Sequence, residues 1–148
     1  MIPRHLKFWI TSGELIFAQA STKEEINEAV SKIIAAKPDM VYLPSDSFVQ
    51  TNANDIITPL TSSKIPTYGA LEKLVKAGAL IGIVASYKSV GMELAGKADK
   101  ILKGEQPSQV PSSILPIEQQ VILVNAKTVK ALDIELPYGI LSIAKIIE

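Results

Sequence analysis

Short apolar runs alternate with stretches of helical spacing along this chain, and that alternation leaves few folds open to it. The best-defined run is Met40-Val41-Tyr42-Leu43, which Pro44 ends before the polar turn Ser45-Asp46-Ser47. Leu15-Ile16-Phe17-Ala18, Ile65-Pro66-Thr67-Tyr68, residues 79–85 and Val121-Ile122-Leu123-Val124 are further strand candidates. Between them lie helical patterns. Ser21-Thr22-Lys23-Glu24 matches a capping box, and Ile26, Val30, Ile33 and Ile34 follow at helical spacing until Pro38. Phe48, Ile56, Ile57 and Leu60 suggest a second helix, whose last turn Pro59 should disturb. Strands alternating with helices imply an α/β fold with a mainly parallel sheet. In such sheets ligands gather outside the carboxyl ends of the strands, which directs attention to Ser45, Asp46 and Ser47.

The clearest amphipathic helix spans residues 87–103. Tyr87, Val90, Gly91, Leu94, Ala98, Ile101 and Leu102 share one face, and Gly104 stops it. Residues 105–118 contain Pro107, Pro111 and Pro116 and read as an extended connector. Residues 128–132 and 140–147 carry short helical patterns separated by Pro137. At the start, Pro3 and Gly13 would bound a short helix over residues 3–12.

Composition removes several function classes. The 148 residues are enough for one domain with its own core, and 47% hydrophobic against 20% charged residues places the chain among globular proteins. Fifteen basic residues balance fifteen acidic ones, so a nucleic-acid surface is not expected. The chain has no cysteine, hence no disulfide, thiolate metal site or cysteine nucleophile. No apolar run approaches the ~18–20 residues of a membrane span. Arg4, His5 and Lys7 precede Phe8-Trp9-Ile10, but Ser12, Gly13 and Glu14 interrupt what a signal peptide needs as a continuous apolar core. As written, the chain is expected to stay in the cytoplasm.

Chemistry-bearing motifs mostly resolve into structure. Gly91-Met92-Glu93-Leu94-Ala95-Gly96-Lys97-Ala98 is one residue from a phosphate-binding loop. It lacks the magnesium-holding hydroxyl at Ala98 and lies inside a helical stripe, so it is read as helix. His5 has no partner in sequence, and Glu24 with Glu25 suits a helix start. No nucleophile, base and orienter form a catalytic set, so the chain is not expected to be an enzyme, and no metal or cofactor is expected. Ser45-Asp46-Ser47 suits a helix N-cap, a ligand-facing loop, or both at once. Asp46 would pair with an amine, and Ser45 or Ser47 with a polar ligand group. Glu72, after the third strand, is a further candidate.

From about Ile16 onward the chain resembles the substrate-binding proteins of a bacterial ABC importer family, including tryptophan- and tyrosine-type binders. The resemblance rests on Met40-Val41-Tyr42-Leu43-Pro44-Ser45-Asp46, Lys64-Ile65-Pro66, Glu72 with Val75-Lys76-Ala77-Gly78-Ala79-Leu80, and Lys100-Ile101-Leu102-Lys103-Gly104-Glu105-Gln106-Pro107, in that order. It implies a three-layer α/β/α arrangement with a mainly parallel sheet, like the second lobe of a type I periplasmic binding protein. Members are about twice this length, exported, and close two lobes on a small ligand for delivery to a permease. This chain resembles only the C-terminal half, as a single truncated domain. The family's Asp-Tyr pair before the long helix stands here as Ser86-Tyr87, and an acid before Glu72 is replaced by Leu71. The resemblance therefore implies non-covalent binding of a small ligand such as an amino acid, at Ser45, Asp46, Ser47, Glu72 and Tyr87. It also implies that the 87–103 helix belongs to the first lobe. Without that lobe its apolar stripe lies open, so a homodimer that buries it is expected. A self-standing dimeric binding or regulatory module is the alternative function.

Overall fold

The computed structural model describes residues 13–114, 116 and 119–148. The expected helix over residues 3–12, and His5 within it, lie outside the described residues. Helix α1 (Lys23–Ala36) opens the regular structure. Its cap sits one residue later than the sequence pattern suggests. Thr22, in extended conformation, accepts the Glu25 N–H, and Glu25 Oε2 receives the Ser21 N–H at 2.7 Å. The arrangement departs from a strict capping box, since Glu25 returns to the N–H of Ser21, one residue before the cap, and Glu24 takes no part in it.

Strand β1 (Val41–Leu43) follows, then α2 (Ser47–Thr51) and α3 (Ala53–Ser62). The second helical pattern is thus two helices, broken at Asn52, whose side-chain Nδ2 donates to Phe48 O at 2.9 Å. Pro59 lies inside α3, and the helix continues to Ser62. So near the helix end a proline removes a single ladder bond, and the buried Ile57 and Leu60 hold the turn in place. Strand β2 (Thr67–Gly69), α4 (Glu72–Lys76) and β3 (Ile81–Ala85) complete a run of parallel strands. Next come α5 (Tyr87–Leu102), β4 (Gln120–Asn125), α6 (Ala126–Leu132), α7 (Tyr138–Leu141) and β5 (Lys145–Ile147). A short 3-10 turn, Pro107–Gln109, interrupts the connector.

The five strands form one sheet in the order β1-β2-β3-β4-β5. All neighbours are parallel except β3 and β4, which run antiparallel from Ile81↔Val124 to Ala85↔Gln120. The expected α/β fold with a mainly parallel sheet is therefore what the chain forms. Two expectations about elements fail. Leu15–Ala18 is not a strand: it makes no ladder with any described strand, and Phe17 is 65% exposed. An apolar run becomes a strand only when a neighbouring edge supplies its hydrogen bonds. Residues 140–147, read as helical, instead end in β5, paired to β4 from Leu123↔Lys145 to Asn125↔Ile147. Short apolar runs do not distinguish the two periods, and an open edge on β4 decides the matter.

Most of the core lies on one helix-covered face of the sheet, while Val124, next to Leu123 on β4, is buried on the other. Leu43, Ala53, Ile57, Leu74 and Ala79 form one cluster, and Ile26, Val30, Leu60 and Ile65 a second beneath α1. Val75, Val84 and Leu123 continue it towards β4. Leu60, Leu74 and Val75 are wholly buried, each worth about 2 kcal/mol of transfer free energy. Residues alternate between faces along a strand, so Tyr42, Tyr68 and Ile83 point the other way. Tyr42 is 61% exposed there.

Candidate ligand-binding edge

Parallel pairing brings the carboxyl ends of β1, β2 and β3 to one edge of the sheet. Leu43 is in register with Gly69, and its carbonyl accepts the Ala70 N–H at 3.0 Å. The segments that leave this edge are 44–47, 70–72 and 86–87. They carry every residue that the sequence singles out for binding: Ser45, Asp46, Ser47, Glu72 and Tyr87.

Asp46 is the N-cap of α2. Its Oδ1 accepts from Phe48 N at 2.8 Å and from Val49 N at 3.1 Å. Oδ2 takes no hydrogen bond among the described residues, so one carboxylate oxygen holds the loop and the other faces outward. Ser45 and Ser47 flank it and are exposed. The cap reading and the ligand-loop reading thus use different oxygens of one side chain.

Glu72 opens α4, one residue after Leu71, the N-cap position, which has no side-chain acceptor to offer. The Glu72 carboxylate pairs with Lys76 at 2.8 Å, one turn on. Its pKa falls below the ordinary 4.5, chiefly through the Lys76 hydrogen bond and then the Lys76 charge; partial desolvation opposes this, and Lys145 adds to it. Glu72 is therefore a carboxylate with its charge already partnered. Ser86 caps α5 by accepting from Ser89 N at 3.5 Å, and Tyr87 beside it is 79% exposed. No hydrogen bond or ion pair joins Asp46, Glu72 and Tyr87 among the described residues.

Two concavities among the described residues lie apart from Asp46 and Glu72. One, of about 470 Å³, runs between residues 18–21 and α1. The other, of about 350 Å³, lies along α5 between Val90, Leu94 and Ile114. Its rim is tied together by Ser113 Oγ donating to Glu93 Oε1 at 2.6 Å and Lys97 Nζ donating to Pro111 O at 2.8 Å. The apolar stripe of α5 is open along about 24 Å of helix, with no residue buried and Leu102 87% exposed. The near-match to a phosphate-binding loop, residues 91–98, lies inside this helix.

The family model for the ABC transporter substrate binding protein matches residues 12–147. The chain belongs to that family. It is 27% identical over 122 residues to the tyrosine-binding protein of Clostridioides difficile (strain R20291), covering 82% of this chain and 34% of that one. Among solved structures, the ligand-free, open form of a substrate-binding protein with adhesive properties from Clostridium difficile superposes with a TM-score of 0.70 at 29% identity. That match covers 87% of this chain and 42% of the other. The ABC domain from Streptococcus pneumonia in complex with L-Trp superposes with a TM-score of 0.67 at 24% identity, over 83% and 42% of the two chains. The chain thus spans about a third of the length of the tyrosine-binding relative. Substrate-binding proteins bind solutes without transforming them, in agreement with the lack of a catalytic set in the sequence.

Two residues that hold the sheet and its helices together escaped the sequence. Tyr68 packs its ring on Tyr42 beside the edge. Asn125 ties β4 to α4 and α6 from below. Tyr68 reads as an ordinary strand aromatic, and Asn125 as the polar residue that ends an apolar run, so neither carries a signal of its role.

Proposed function

We propose that this chain forms one lobe of an amino-acid-binding protein that serves an ABC importer, and that the edge of β1–β3 is its wall of the cleft. The carrying observation is the outward Oδ2 of Asp46, held by a backbone cap between two exposed serines at the carboxyl end of a parallel strand. Asp46 meets the ligand's ammonium group, Ser45 and Ser47 accompany it, and the Tyr87 ring lies against the side chain. Glu72 takes part by exchanging Lys76 for the ligand. The tyrosine-binding relative supports an aromatic amino acid as ligand.

The open stripe of α5 supports a further part of this reading: the helix belongs to a first lobe that carries the facing wall. Calorimetric titration with L-tyrosine and L-tryptophan tests the binding. Heat of binding that is lost in Asp46→Asn supports it, and heat unchanged by that substitution sinks it. A second reading rests on the same stripe. A second copy of the chain covers α5, giving a dimeric small-ligand module. Light scattering that shows a folded monomer at high concentration removes this second reading.

A further inference from the structure

The sheet has one narrow seam. β1 and β2 share three register pairs and β3 and β4 share five, but β2 and β3 share only Tyr68↔Ile81. The reason lies in two glycines. Gly69 O sits so close over Gly82 that a Cβ there would meet it at 2.3 Å. The chain of β2 therefore rises over β3 at Gly69, while Ala70 N still bonds Leu43 O and keeps β2 with β1. Beyond Tyr68 the near edge of β3 has lost its ladder partner.

Tyr68 fills the gap. Its hydroxyl accepts from Ile83 N at 3.1 Å and donates to Ile83 O at 3.4 Å. The N–H and C=O of one strand residue point to the same side, so a single phenol serves both. The ring is backed by Tyr42, its register partner, with centroids 5.7 Å apart and planes 22° from parallel. What a third backbone pair would do in an unbroken ladder, one side chain does here.

The seam divides the candidate binding edge. Ser45, Asp46 and Ser47 leave from β1, on one side of it. Ser86 and Tyr87 follow β3, just beyond Ile83, on the other. We propose that Tyr68 is a positioning residue: its hydroxyl pins β3 to β2 and so fixes Ser86, Tyr87 and the start of α5 against the Ser45–Ser47 loop. The functional consequence rests on the binding reading above; the pin itself does not.

The test uses Tyr68→Phe, which keeps the ring stack and removes the hydroxyl. Amide exchange at Ile83 is expected to rise by about tenfold, the scale of one lost hydrogen bond. Gly82 and Val84, whose amides face β4, are expected to stay protected. Tyr42→Phe, which leaves the pin intact, is expected to leave Ile83 protected as well. Because the chain has no cysteine, spin labels placed at Thr51→Cys and Lys88→Cys report the distance across the seam. One narrow distance with Tyr68 and a broadened distribution with Tyr68→Phe is the expected result. Unchanged exchange at Ile83, or an unchanged distance, overturns the proposal. So does global unfolding of Tyr68→Phe, which a local pin does not predict. These readouts need no ligand, so a chain that binds no amino acid still tests the pin.

Discussion

Asn125 Nδ2 donates to Val75 O at 2.9 Å, across 50 residues of chain and in the buried centre of the molecule. The same side chain caps α6 through Oδ1, which accepts from Thr128 N at 3.1 Å. One amide thereby closes the end of β4, the carbonyl end of α4 and the start of α6. Thr128 Oγ1 adds a bond to Gly78 O at 2.7 Å. Replacing Asn125 by alanine leaves the buried Thr128 N–H without its acceptor and removes one of the bonds to Val75 O, which keeps the Gly78 N–H at 3.0 Å. We expect a loss of about 2–3 kcal/mol, read from urea unfolding, because an orphaned buried group costs more than a net hydrogen bond contributes. Asn125→Asp keeps an acceptor for Thr128 N but sets a carboxylate oxygen against Val75 O in a buried site, so it is expected to cost at least as much as alanine.

Gly82 bears on the sheet in a different way. An added Cβ would meet Gly69 O at 2.3 Å and Val75 Cγ2 at 2.8 Å. The first of these is backbone and has little room to give. Gly82→Ala is therefore expected to destabilise by about 3 kcal/mol, the upper range for overpacking. A thermal midpoint equal to the parent's would show that β2 does not ride over β3 in solution.

At Asp46 two roles separate by substitution. Asp46→Ala removes the cap of α2 and is expected to cost about 1 kcal/mol. Asp46→Asn keeps an acceptor for Phe48 N and Val49 N, so its thermal midpoint should lie close to the parent's. It no longer offers a charge to an ammonium group, so amino-acid affinity should fall in both variants. Thermal melts and titrations on the pair distinguish a cap from a binding residue.

Glu72 gives a pH signature. Its folded pKa lies below the ordinary 4.5 because Lys76 hydrogen-bonds and attracts the ionised form. A depressed carboxyl contributes stability that is present above 4.5 and is lost as the pH falls through the lowered folded value. The pair is exposed at the surface, so the increment is small and salt-sensitive. A carbon-detected NMR titration should place the Glu72 midpoint below 4.5, and Lys76→Met should move it up towards that value.

Much of the fold was legible because the strong signals were local. The 87–103 stripe, the run 40–43 and the loop that follows are written in neighbouring residues, and α5, β1 and the Asp46 cap sit where those residues place them. What escaped depends on distant partners. β5 exists because β4 offers an edge, although residues 140–147 carry a helical spacing. Leu15–Ala18 has the composition of a strand and pairs with no described strand. Pro59 is tolerated because Ile57 and Leu60 are held by the core. At the candidate edge, Ser45, Asp46, Ser47 and Glu72 could be named from strand ends alone. Tyr68 could not, since its part follows from where two glycines steer β2 relative to β3.

The most direct test is a backbone NMR spectrum of the labelled chain titrated with L-tyrosine. Shifts confined to the β1–β3 edge, at Ser45, Asp46, Ser47, Glu72 and Tyr87, are expected. An unmoved spectrum at saturating ligand, or shifts confined to the groove between α5 and Ile114, would contradict binding at this edge.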